Sequence, residues 1–215
     1  AIELNSWATI AGGRHGTASG LSSFIGGGVN NISASNNSVV AGGDGNDATG
    51  ICSSVLGGNS NSADASYSSV IGGIYGVADH WAEIAVSGGR FTTAGDSQYM
   101  NLIANNSITG GSTGLLRTGS HLITIPIDTT WKFTVHISAR DSTGDSAVYQ
   151  YSGGIKNNSG TTSFIGSVQE DLSLEDDSAW SITISPDNAT DSLEIEAQAD
   201  STNTTRFVAK IELVQ

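Results

Sequence analysis

The sequence predicts an all-β chain in two parts: a tandem-repeat β-roll or β-helix, then an antiparallel, jelly-roll-like β-sandwich. Three observations predict this. Paired glycines recur at one fixed spacing through the first part, as at Gly12, Gly27 and Gly42. Alternation with period two takes over after residue 120. Glycine is 28 of 215 residues and charged residues are only 13%, which suits short strands and tight turns better than long helices.

The repeat is the strongest signal. Glycine pairs begin at Gly12, Gly27, Gly42, Gly57 and Gly72, and a sixth begins one position late, at Gly88. Two residues before each pair stands a β-branched residue: Ile10, Ile25, Val40, Val55, Val70 and Val86. Such residues favour extended backbone and are expected to point inward. A small residue follows each pair at Ala18, Ser33, Ala48, Ala63, Ala78 and Ala94, where a tight interior is expected. The glycine pair is expected to form a corner crowded by the next coil. Gly16, Asn31, Asn46, Asn61 and Gly76 recur between them, and a second corner with positive φ is expected there. Serine recurs at Ser23, Ser38, Ser53 and Ser68. Stacked in register at ~4.8 Å per coil, such units would build a stem of roughly 29 Å. One Val or Ile and one Ala per coil make a thin core. Self-association as a homotrimer would supply the missing burial; a monomeric solenoid capped by the second domain is the alternative. The stem is placed at residues 1–98.

Residues 99–119 read as a connector, with Asn105-Asn106 and Thr109-Gly110-Gly111-Ser112 as its markers. The second domain, 120–215, carries candidate strands at 121–127, 131–139, 146–152, 162–168, 178–184, 192–198 and 205–214. Trp131, Phe133, Val135 and Ile137 share one face, as do Phe207, Ala209, Ile211 and Leu213. Turn residues separate the strands, among them Asp141-Ser142-Thr143-Gly144 and Ser201-Thr202-Asn203. Seven strands at this spacing suit a sandwich or jelly roll.

Charge narrows the partners. The chain carries a net charge of −13 with no basic stripe, so neither nucleic acid nor membrane insertion is expected. A single cysteine, Cys52, allows no disulfide framework. No apolar run approaches the ~20 residues that span a bilayer, and the abrupt Ala1-Ile2-Glu3-Leu4 suggests a fragment of a longer protein. No serine-hydrolase elbow, zinc-protease motif or phosphate loop is present. His15, His80, His121 and His136 fall on different predicted elements without metal spacing, so no cofactor is expected.

The repeat unit S-x-V-x-G-G-x-x-N-x-A resembles the head repeats of trimeric adhesins, and the same kind of repeat occurs in bacteriophage tail fibres. The second half is similar to the small sandwich that closes many phage tail fibres. Trp131-Lys132-Phe133-Thr134-Val135, Gly153-Gly154-Ile155, Phe164-Ile165-Gly166 and the terminal strand 205–213 carry that likeness, with Phe207 where a Trp is usual. The resemblance implies a homotrimeric, extracellular virion tail-fibre tip that binds a bacterial surface receptor, commonly a glycan, without catalysis. A glycan-cleaving tailspike fragment and a purely structural virion spacer are the alternatives. Cleavage would need two carboxylates about 5 to 9.5 Å apart, and Asp64 and Asp79 could stack on adjacent coils. Tyr149, Tyr151, Tyr75 and Trp81 are the aromatic candidates for receptor contact. The acidic run 170–177 is expected to be a solvated loop; calcium is the sharper idea, with Glu175, Asp176 and Asp177 as its candidates and Asp44-Gly45-Asn46-Asp47 a weaker one.

Overall fold

The computed structural model describes the backbone of residues 2–3 and the whole of residues 7–200 and 202–215. The opening Ala1 and Leu4 and the turn residue Ser201 therefore lie outside the described residues. The chain is all-β, with no helix among the described residues, and divides into two compact units, residues 1–101 with Gln215, and 102–214.

The first unit is a β-solenoid. Each coil contributes two short strands. One series is β1 (Ile2–Glu3), β3 (Thr17–Ala18), β5 (Ile32–Ser33), β7 (Asp47–Ala48), β9 (Ser62–Ala63) and β11 (Val77–Ala78). The other is β2 (Thr9–Ile10), β4 (Phe24–Ile25), β6 (Val39–Val40), β8 (Ser54–Val55), β10 (Ser69–Ile74) and β12 (Ile84–Gly88). Each series is a parallel ladder whose partners are equivalent positions of successive repeats, such as Val40 with Val55 and Ala48 with Ala63. Single-residue bridges from Arg14 through Val29, Asp44 and Asn59 to Ile74 make a third ladder.

Ile25, Val40, Val55 and Val70 are buried, as are Ala18, Ser33, Ala48, Ala63 and Ala78. Three expectations need correction. Val86 does not point inward: it is 42% exposed, and Ala85 fills the core instead. The ladder keeps its register from Val70 to Ala85, so the displaced sixth glycine pair misplaces the inward position by one. Ala94 is exposed, because no further coil follows. Crowding falls on the second glycine of the first five pairs, Gly13, Gly28, Gly43, Gly58 and Gly73. A Cβ on Gly12, Gly27, Gly42, Gly57, Gly72 or Gly88 would meet nothing within 4 Å, whereas one on Gly28 would lie 2.0 Å from the Gly43 carbonyl oxygen.

The recurrent asparagines do not take positive φ either. The residue before them does, at His15, Asn30, Ser60 and Tyr75 and at Gly45. Asn31, Asn46 and Asn61 instead turn buried side-chain amides into the coil. The Asn46 Nδ2 donates to the carbonyls of Gly42 (2.9 Å) and Gly58 (3.0 Å), and its Oδ1 accepts from the Asn61 backbone N–H at 3.0 Å. Asn31 and Asn61 repeat the arrangement. This ladder gives a partner to the buried N–H of each next repeat and to the carbonyl of the first glycine, and a second donor to carbonyls that already accept a backbone N–H.

The last coil has no successor, and side chains replace it. Elsewhere the N–H of the first strand residue donates to a carbonyl of the next coil, as Ser62 does to Gly76. Val77 instead meets Gln98, whose Oε1 accepts from its N–H (2.9 Å) and whose Nε2 donates to its carbonyl (2.8 Å). Two residues on, Asp64 and Ala65 both donate to the Ala78 carbonyl, but Asp79 and His80 donate to Glu83 Oε2 at 3.0 and 2.9 Å.

Most of the expected connector 99–119 is strand. β13 (Gln98–Thr109) pairs with β12 through its first four residues and continues in the second unit, followed by β14 (Thr113–Leu115). Its Met100, Leu102, Ala104 and Ile108 are buried, a period-two pattern masked by the Asn residues between them.

The second unit adds β15 (Ile123–Thr124), β16 (Thr129–Asp141), β17 (Ser146–Asn157), β18 (Thr162–Phe164), β19 (Gln169–Glu175), β20 (Ser181–Asp187), β21 (Ser192–Gln198) and β22 (Thr204–Val214). One sheet runs β18-β17-β16-β22-β13, with β19 also on β17; β14, β15 and β20 all pair with β21 in another. Trp131, Phe133, Val135 and Ile137 on β16 and Phe207, Ala209, Ile211 and Leu213 on β22 are buried together, as expected from their alternation. Trp180, just before β20, is buried with its ring 6.1 Å from that of Phe207. The acidic run is strand up to Glu175, in β19, which is exposed throughout, and Asp176 and Asp177 follow it.

Candidate functional site

Three features of the described residues can carry chemistry or binding. The first is a groove of about 440 Å³ in the second unit, lined by Thr130, Trp131 and Lys132 of β16, Ser152, Gly153 and Gly154 of β17, and Ile165, Ser167 and Gln169. Glycine opens it. A Cβ on Gly153 would stand 2.6 Å from the Phe133 ring, and one on Gly154 would press on Ile165 at 3.3 Å. Lys132 is exposed, and its Nζ donates to Thr134 Oγ1 at 3.3 Å. Gln169 Nε2 donates to Ser167 Oγ at 2.9 Å. No lining residue is a carboxylate.

The second is one side of the solenoid. Outward positions 21, 22, 24 and 26 and their equivalents in the next four coils, up to 81, 82, 84 and 86, contain no Asp, Glu, Lys or Arg. None of them is buried. Leu21, Phe24, Ile51, Leu56, Tyr67, Ile71, Ile84 and Val86 are each more than a third exposed there. Arg14, Asp44, Asp47, Asp64 and Asp79 all project from the other sides.

The third is a cluster that sequence reasoning missed: Asp79, His80 and Glu83. The His80 Nδ1 lies 2.8 Å from Asp79 Oδ1 and 3.0 Å from Glu83 Oε2. Burial opposes the charge on His80, but the two carboxylates outweigh it and lift its pKa to about 10. Burial likewise opposes the Asp79 charge, and the imidazole beside it still holds that carboxyl below its usual range. Glu83 is buried deeply enough that its carboxyl is raised despite the same contact. A sequence signal existed: Glu83 interrupts the series Ser23, Ser38, Ser53, Ser68.

The residues expected to contact a receptor are not gathered in one place. Tyr149 and Tyr151 face inward, at 3% and 8% exposure, so they are not sugar platforms. Their hydroxyls donate to Glu175 Oε2 (2.7 Å) and Glu170 Oε2 (3.2 Å). Burial and those carboxylates push the Tyr149 phenol far above its ordinary range and the Tyr151 phenol to about 12. Tyr75 is half-buried under the Arg90 guanidinium, 3.8 Å from the ring centroid. Trp81 is half-buried against Tyr67, with ring centroids 4.6 Å apart. The three calcium candidates each have a protein partner. Glu175 accepts from Tyr149, Asp176 from the Ser146 N–H and Asp177 from the Ala179 N–H, so the three carboxylates face separate partners. Asp64 and Asp79 have different partners: Asp64 accepts from Thr49 and Ser62, and Asp79 lies against His80.

No family model matches the chain, and no curated protein matches it. Solved structures similar to it in part include two phage tailspikes. One is tailspike protein gp49 of the Acinetobacter baumannii bacteriophage Fri1, a capsular polysaccharide depolymerase, at 11% identity and a TM-score of 0.35 over 88% of this chain. The other is the tailspike of the Acinetobacter phage vB_ApiP_P1, at 13% identity and a TM-score of 0.30 over 89% of this chain. The alignments span 36% and 50% of those chains.

Proposed function

We propose that the chain is the receptor-binding part of a virion tail fibre, a homotrimer that holds a bacterial surface saccharide without cutting it. The phage assignment rests on the resemblance of the repeat unit. The groove around Gly153-Gly154 carries the binding reading. It offers one cation, hydroxyls, an amide and open backbone, which suit the hydroxyls and acidic groups of a saccharide. Its lining has no carboxylate, whereas glycoside hydrolysis in most enzymes needs two. The second unit is read as a β-sandwich that presents this groove, with Trp180 bridging its two sheets.

The trimer reading rests on the charge-free side of the solenoid. Copies of a chain with net charge −13 would repel one another through most surfaces. That side lets them meet with apolar contacts and no charge to desolvate. The protein is expected to behave as three copies by multi-angle light scattering. Ile71→Asp, at a residue 51% exposed, is expected to give monomers with an unchanged circular dichroism spectrum. A monomeric parent protein would overturn the trimer.

A panel of bacterial capsular and O-antigen polysaccharides tests binding and cleavage together. Retention of one polysaccharide is expected, with no new reducing ends. Lys132→Ala is expected to weaken that retention about tenfold, the scale of one good interfacial contact. Shortening of the polysaccharide would favour the depolymerase, and no binding across the panel would favour the spacer.

A further inference from the structure

We propose that Asp79, His80 and Glu83 form a site for one divalent transition-metal ion, of the zinc or manganese class, at the last corner of the solenoid. This inference stands apart from the receptor reading.

Geometry is the first support. His80 Nδ1 lies 2.8 Å from Asp79 Oδ1 and 3.0 Å from Glu83 Oε2. Neighbouring ligands on an octahedral ion bound at about 2.1 Å are about 3 Å apart. The two contacts of the imidazole match that spacing, and one ligand atom from each of the three residues lies within 4.8 Å of the others.

An unmet polar atom is the second support. Glu83 is fully buried, and its Oε1 has no hydrogen-bond partner. A carboxylate oxygen left in that state is costly, and a cation beside the carboxylate relieves it.

The third support is the repeat. The equivalent positions hold buried Ser23, Ser38, Ser53 and Ser68. Ser38 and Ser68 donate there to the carbonyls of Ser35 and Ala65, three residues back. Capping the Asp79 and His80 N–H groups uses only Oε2 of Glu83. The cap therefore leaves the second oxygen of the carboxylate without a structural role.

One imidazole and two carboxylates suit zinc or manganese. Calcium prefers six or more oxygens, and an imidazole occupies one of the positions here. The Asp79 side chain is 47% exposed, so an ion can enter from solvent and keep waters on its open side. A proton on Nδ1 is the competing occupant, because the same two carboxylates would hold an imidazolium in place.

The test uses the whole chain, stripped with EDTA and dialysed, and titrated calorimetrically with zinc chloride, manganese chloride and calcium chloride. One zinc or manganese ion per chain is expected, with a melting temperature that rises with free metal. Asp79→Asn, on the exposed side of the cluster, is expected to fold as the parent does and to bind at least about tenfold more weakly. His80→Gln is expected to abolish binding. Silence with both transition ions would overturn the site and leave the proton in place. Binding that survives both substitutions, or a response to calcium alone, would overturn it equally.

Discussion

Asn46→Ala is expected to be among the most damaging single changes in the solenoid. The side chain is fully buried and makes three hydrogen bonds, two as donor and one as acceptor. Alanine removes all three and leaves the Asn61 N–H buried without its acceptor and the Gly42 carbonyl without its donor. Each stranded buried group costs about 1–3 kcal/mol. The loss is therefore expected at about 3–5 kcal/mol, a large share of the roughly 5–15 kcal/mol typical of a domain. Urea unfolding followed by far-ultraviolet circular dichroism measures it. Asn46→Asp separates the roles, because it retains the acceptor toward Asn61 and loses both donations. A loss below about 1 kcal/mol in Asn46→Ala would mean that the amide ladder is not what holds this corner.

Gly28→Ala is expected to be worse than Gly27→Ala by a wide margin, although the two residues are adjacent. Gly28 has φ +89°, a conformation L-residues rarely adopt. An added Cβ would also lie 2.0 Å from the Gly43 carbonyl oxygen and 2.7 Å from Asn31 Nδ2. Coil spacing is fixed by ladder hydrogen bonds on both sides, so the clash cannot relax by a rotamer change. Several kcal/mol and loss of cooperative unfolding are expected, since backbone strain at positive φ alone costs about 1–3 kcal/mol. Gly27→Ala meets nothing within 4 Å, and its cost is expected to stay under about 1 kcal/mol. Equal effects at the two positions would contradict the assignment of crowding to the second glycine.

These two changes also mark how far the sequence could be read. The regular glycine period announced the coil because every copy repeats the same constraint. It could not say which of two contiguous glycines bears the crowding, because they always occur together. Asparagine at the second corner was visible as a position. Its role was not, because a tolerant backbone and a bonding side chain leave the same letter. Val86 went astray where the glycine spacing lengthened by one position and the ladder did not.

In the second unit the alternation on β16 and β22 identified the core face directly. Alternation alone cannot tell which face of β17 turns inward, so Tyr149 and Tyr151 were misplaced. Asp79, His80 and Glu83 come together in one coil only, and a reading built on repetition passes over what does not repeat. The groove depends on β16, β17 and the segment after Phe164 meeting in space. Lys132 and Gly154 are register partners from different strands, and no local spacing records that.

A stack of like coils is a template with no built-in last member. Its terminal strand would offer a row of open N–H and C=O groups to any extended chain that passed. At β11 the amide of Gln98 supplies both a donor and an acceptor to Val77, and Glu83 takes up the next two N–H groups. A foreign strand arriving at those residues finds them already occupied. Recruitment of further chains end on, the route by which β-rich proteins seed fibrillar aggregates, is blocked there by two side chains.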